Sequence, residues 1–159
     1  MSVWCEFKIV RMYCSDQEHL SASELPGAVL ELPTMSNLAG IQIFPDAEPA
    51  LDGHWQFPRV SIGSYPDGDG YILQCSETAS SESHLLATSS TLSSPEIYMA
   101  FGGPSSELWP QELFVPYATV MHALDHFLAT GLQARQLAWI GLGAFPRQDV
   151  PSRPRRHRT

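Results

Sequence analysis

The chain has 159 residues, of which 43% are apolar and 16% charged, with a formal net charge of −8. That length suits one domain with a real core, and the apolar share argues against global disorder. Five of the nine bases (Arg147, Arg153, Arg155, Arg156 and Arg158) crowd into residues 147–159 beside a single acid, Asp149, so residues 1–146 carry 16 acids and 4 bases, a net of −12. Phosphates repel such a body, which argues against direct DNA or RNA binding and favours a basic partner, such as a protein that handles nucleic acid.

Taken in chain order, Val3 to Tyr13 alternates with β-favouring residues and predicts a strand. Ser21 with Glu24 makes a capping box for a short helix, which Pro26 and Gly27 keep from growing. Gly40 to Phe44 predicts a second strand, and residues 45–57 read as loop. Arg59 to Ser76 is the clearest β signal: two apolar-rich runs flank Tyr65-Pro66-Asp67-Gly68-Asp69-Gly70, the turn chemistry of a hairpin. Residues 77–94 are rich in serine and threonine and predict a loop, with His84 to Ala87 able to add a turn or strand. Glu96 to Phe101 predicts a strand closed by Gly102-Gly103-Pro104, and Glu112 to Val115 a short extended piece. Pro116 opens a helix whose apolar stripe is Tyr117, Val120, Met121, Leu124, Phe127 and Leu128, and Gly131 caps it. Leu137 to Leu142 predicts a strand buried on both faces. The sum is an α+β fold. A mainly antiparallel sheet carries one long C-terminal amphipathic helix packed on it, in a single domain over 1–146 with a disordered basic tail over 147–159.

Cys5, Cys14 and Cys75 form no CxxC pair, which argues against a disulfide framework and a structural zinc site. No run approaches the roughly 20 apolar residues of a membrane span. Met1 to Glu6 shows neither the basic nor the apolar region of a secretory signal, so a soluble cytoplasmic protein is expected.

Motifs that carry chemistry are few. His122-Ala123-Leu124-Asp125-His126 puts two imidazoles at i and i+4 on one helix face, with the spacing of a metalloprotease motif but Asp in the place of Glu. The apolar stripe already faces the core, which leaves His122, Asp125 and His126 on the wet face, and no third ligand is placed. This face is the basis of the rival reading, a small hydrolase or metal-dependent enzyme. There is no G-x-S-x-G elbow, and Cys14 with His19 nearby in sequence is weak grounds for cysteine catalysis. Asp67-Gly68-Asp69-Gly70 lacks the bidentate Glu of a calcium loop, where Thr78 stands. The arginines of the tail have the charge for weak phosphate contact, but such ends are commonly solubilising extensions. Neither an enzymatic centre nor a cofactor or metal is expected.

One set of residues carries a resemblance. In order these are Ile62-Gly63, Asp69-Gly70-Tyr71, Tyr98-Met99-Ala100-Phe101-Gly102, Trp109-Pro110, Glu112, Val115-Pro116, Phe127-Leu128-Ala129-Thr130-Gly131 and Trp139. Over residues 58–141 this pattern resembles the immunity protein family 1 of bacterial polymorphic toxin systems. The resemblance implies an α+β, non-enzymatic antitoxin that binds a cognate toxin domain in the producer's cytoplasm and blocks it. Family members often neighbour deaminase-type toxins acting on nucleic acid. The shared motif is mostly structural and nominates no contact residue. Charge and position on expected turns and loops nominate Asp67, Asp69, Glu77, Glu82, Glu107 and Glu112 as a toxin-binding surface, with Trp109 as its anchor.

Overall fold

The alternation around Phe7 becomes strand β1 (Phe7–Tyr13) in the computed structural model, which describes residues 6–13, 16–35, 39–46, 57–64, 70–78, 80–93, 97–100, 105–143 and 148–151. Among the described residues the further strands are β2 (Asp16–Leu20), β3 (Ala39–Pro45), β4 (Arg59–Ser64), β5 (Tyr71–Ser76), β6 (His84–Ala87), β7 (Ile97–Ala100), β8 (Ser105–Trp109), β9 (Ala138–Gly141) and β10 (Gln148–Pro151). Two helices accompany them, α1 (Leu25–Glu31) and α2 (Tyr117–Thr130). The larger sheet has seven strands in the order β2-β1-β3-β4-β5-β6-β9, and the smaller has three in the order β10-β8-β7. Every pairing is antiparallel. The fold is α+β with a mainly antiparallel sheet, the expected class.

A strand's period of two sorts its side chains onto two faces. On one face Ile9 lies opposite Ile43, Ile43 opposite Val60, Ile41 opposite Ile62, Val60 opposite Cys75 and Ile62 opposite Leu73. All are buried, under a helical layer that contributes Val29, Leu32, Val120, Leu124 and Phe127. Each such aliphatic side chain contributes roughly 1.5–3 kcal/mol by leaving water. The Phe7 and Phe127 rings meet with centroids 4.9 Å apart, and the Tyr117 hydroxyl donates to the Pro26 carbonyl at 3.3 Å, tying α2 to α1. On the opposite face, Ile72, Leu85, Ala87, Ala138 and Ile140 receive Trp109, Leu113 and Phe114, which make a second, smaller core. The sheet is thus covered by helices along much of one face, and on the other by this second core at its β5-β6-β9 end.

The local signals explain the ends of elements. Ser21 and Glu24 close the capping box, with the Ser21 amide donating to Glu24 Oε1 at 2.8 Å. That backbone bond first, and the Ser21 side chain second, hold the Glu24 carboxyl below the ordinary carboxylate range. Pro116 caps α2 and Gly131 ends it in the left-handed conformation, φ 73°, its amide bonding the Phe127 carbonyl at 2.7 Å. A glycine is needed there because a Cβ strains that backbone. Gly70, at φ 127°, also passes 3.0 Å from the backbone of Phe114 at the position a Cβ would take.

Several expectations are corrected. The helix α2 has 14 residues and packs on the sheet, but β9 and β10 follow it, so it is not the C-terminal element. The tail read as disordered over 147–159 contributes strand β10, whose Gln148 to Pro151 pair with Leu108 to Ser105; β8 offers an open row of backbone donors and acceptors, and Pro151 stands at the strand's end, where a missing donor matters least. All five tail arginines lie outside the described residues. Leu137–Leu142 is not buried on both faces: β9 is half-buried, because it closes the sheet at an edge. The piece over Glu112–Val115 begins as a 3-10 turn, Gln111–Leu113, after which Val115 and Tyr71 exchange backbone bonds of 2.9 Å. The loop over 77–94 does contain a strand, β6, fully integrated in the sheet. Val3 and Trp4 of the first expected strand, and Cys5 and Cys14, lie outside the described residues.

Candidate functional site

The chemistry-bearing side chains gather at the β9 end of the large sheet, on its helix-covered face. The register places Cys75 of β5 opposite His84 of β6, and His84 opposite Gly141 of β9. Just beyond β5, Glu77 accepts the backbone N–H of Gln133 at 2.9 Å. The Gln133 side-chain amide donates to His84 Nδ1 at 3.0 Å. Trp139 of β9 donates its indole N–H to the Ala134 carbonyl at 2.9 Å. Together Glu77, His84, Gln133, Arg135, Leu137 and Trp139 line a small polar hollow. The segment after Gly131 is therefore sewn to the sheet by side chains from both neighbours, and this fixes the hollow's floor.

The thiol and imidazole brought together here do not make a nucleophile. Cys75 is 1% exposed. Burial first, and the Glu77 charge second, push its thiol up to about 12. A thiol held protonated neither attacks nor binds metal readily. The hollow offers instead a carboxylate, an amide, a guanidinium and the edge of an indole, a set suited to recognition.

Of the nominated surface residues that the structure describes, Glu77 and Glu82 come to this one end, whereas Glu107, Trp109 and Glu112 lie elsewhere. Glu82 is exposed and its carboxylate lies over Gly141, 2.0 Å from where a Cβ would stand, reaching the Gly143 amide at a long 3.4 Å. Glu77 is half-buried and engaged with Gln133. Glu112 belongs to the second-core side, where its Oε1 accepts both the amide and the hydroxyl of Ser93 at 2.9 Å. The Ser93 backbone bond is the largest of the influences that hold its carboxyl below the ordinary range. Glu107 is not on a loop but in β8, opposite Asp149 and Met99. Trp109 is not a surface anchor: it ends β8 with 6% exposure and packs with Leu85, Ala87, Leu113 and Phe114. The sequence placed it in a loop because Pro110 follows, but β8 carries the ring onto the sheet. Asp67 and Asp69 lie outside the described residues.

His122 and Asp125 are exposed and His126 is half-buried, on the outer face of α2. The Gln136 side-chain amide donates to His122 Nε2 at 3.0 Å. A shallow, mainly apolar groove runs along this face between Ala118 and Thr130. Among the described residues no three His, Cys, Asp or Glu side chains gather as a metal site, and no helix is long and apolar enough to cross a membrane. Reasoning from sequence missed Gln133, Arg135 and His84 as neighbours of Trp139. Their separation along the chain leaves no local signal to find them. Compared with protein-family models, curated proteins and solved structures, the chain matches none.

Proposed function

We propose that this chain is an immunity protein. It binds a cognate toxin domain of basic character in stoichiometric fashion and blocks that domain's active site, a toxin of the class that acts on nucleic acid. The observation that carries the reading is the charge. Residues 1–146 hold a net of −12, and the few bases in them are partly consumed within the fold. Arg11 is clamped between Glu18 at 2.8 Å and Glu31 at 2.7 Å, and Arg59 stacks on the Phe44 ring at 4.6 Å while bonding Gln42. Glu82 and Asp125 remain exposed. A field of one sign speeds the capture of an oppositely charged partner and occupies the cleft that phosphates would otherwise enter. The resemblance over residues 58–141 supports the same reading, and the protonated Cys75 speaks against thiol catalysis at the hollow.

The test is co-expression with the C-terminal domain of a toxin encoded beside this chain. The reading expects cells to survive the toxin and the two proteins to co-purify in equal amounts. Death of the cells, with no complex recovered from soluble protein, overturns it.

A further inference from the structure

The seven-stranded sheet ends on one side in β9, Ala138-Trp139-Ile140-Gly141, a strand without a charged residue. An antiparallel ladder alternates bonded and unbonded pairs. Leu142 donates to the Ser83 carbonyl at 2.8 Å, which sets the phase of the β6–β9 ladder. Ile140 and Ala138 share that phase and bond β6. Trp139 and Gly141 are out of phase, so their backbone N–H and C=O groups turn away from β6, toward the open edge. Among the described residues no backbone partner meets them. Such an edge is a template for a further strand.

Its surroundings select what can be added. At one end the Trp139 ring borders the hollow of Glu77, His84, Gln133, Arg135 and Leu137, which lies on the face where every second side chain of an added strand would fall. At the other end the exposed Glu82 carboxylate leans over Gly141 and engages the Gly143 amide only at 3.4 Å. That acid lies over the β9 row itself, facing the side chain that a further strand would set beside Gly141, in a chain body of net −12. An acidic strand is repelled there and a basic one is attracted.

We infer that the open edge of β9 is a strand-addition site that takes an extended segment of a partner protein bearing a lysine or arginine opposite Glu82. Main-chain bonds to Trp139 and Gly141 supply affinity, while Glu82 and the Trp139 hollow supply selectivity. The inference rests on the reading of this chain as a binding protein, and its test uses no toxin, so the two can fail separately.

The experiment is an NMR titration of the full, isotope-labelled chain with a capped hexapeptide alternating valine and lysine. A second hexapeptide alternating valine and glutamate serves as the contrast. The expected result is that the lysine peptide shifts the Trp139 and Gly141 amide signals and slows their hydrogen exchange. The glutamate peptide should bind about threefold to fivefold more weakly, the scale of one exposed ion pair. Gly141→Pro removes an outward N–H and should abolish the Trp139 shift. If Gly141→Pro does not fold, Glu82→Lys decides, because an exposed position leaves the edge intact and should reverse the preference between the peptides. Unmoved Trp139 and Gly141 amides, equal binding of the two peptides by the parent chain, or a dimer of this chain already formed through β9 would each overturn the inference. Co-purification with the toxin in the face of such a result would leave the immunity reading standing with its contact elsewhere.

Discussion

The two ends of the large sheet solve the same problem in opposite ways. At one end β2, Asp16-Gln17-Glu18-His19-Leu20, is almost entirely exposed and is held by its ladder to β1, with charge as its main side-chain tie: Arg11 of the neighbouring strand bonds Glu18 and reaches Glu31 of α1. At the other end β9 carries no charge and is held by packing, with Ile140 and Ala138 against the second core and Trp139 against the first. A charged edge discourages further pairing, whereas an apolar edge invites it unless something covers it. The contrast is the ground for the proposed strand-addition site at the β9 end, where the hollow and Glu82 sit, and leaves β2 as a solvated margin.

The comparison is broken most sharply at the β9 end. Trp109→Ala empties the second core beneath β6 and β9, and should cost about 3–5 kcal/mol, the range for large aromatic truncations. Thermal unfolding followed by circular dichroism checks this; a loss below 1 kcal/mol would place the ring outside the core. Next comes Gly131, whose left-handed turn delivers Gln133 to Glu77. Gly131→Ala should cost about 1–2 kcal/mol. It should also speed hydrogen exchange at the Gln133 amide, since that amide's bond to Glu77 depends on the turn.

Arg11→Ala probes the β2 end and should cost about 1 kcal/mol or less, because its two ion pairs face solvent through exposed glutamates. The cost should shrink in high salt, whereas that of Trp109→Ala should not. If Arg11→Ala matched Trp109→Ala, the division between a charged end and a packed end would fall. The smallest effect is that of acid. Glu24 and Glu112 both have folded values below the ordinary range. A lowered carboxylate stabilises the fold above its unfolded value, and that share is lost as pH falls through the folded one. Stability should therefore decline below about pH 5, with Glu24→Gln and Glu112→Gln each flattening the slope. Melting curves between neutral and acidic pH report it, and unchanged slopes in both variants would remove the two hydrogen-bonded carboxylates as its cause.

The residues that announced themselves in sequence are those whose structure is set locally. The hairpin of β4 and β5, the Ser21–Glu24 box, the stripe of α2 and the Gly131 cap each need only a few neighbouring side chains. What stayed hidden depends on distant partners. β2 lacks apolar alternation because both its sides are wet, so only the ladder to β1 and the Arg11 clamp reveal it as a strand. β8 reads as loop because the strands it pairs with, β7 and β10, and the sheet that buries Trp109 are set by other parts of the chain. β10 was hidden by the prolines and arginines around it. The hollow at β9 unites Glu77 and His84 with Gln133, Arg135 and Trp139, and no spacing rule relates the two groups. The acidic excess was legible from composition alone. Its distribution over the surface was not: Glu107 and Trp109 moved from loop to strand, and Glu112 turned out to hold Ser93.

Inhibition by stoichiometric binding is the central claim, and titrating a fixed amount of active toxin domain with this chain tests it most directly. The account predicts that toxin activity falls linearly and reaches zero at one equivalent, with both proteins recovered chemically unchanged. Loss of activity at a small fraction of an equivalent, accompanied by a modified toxin or a consumed substrate, would show turnover and contradict it.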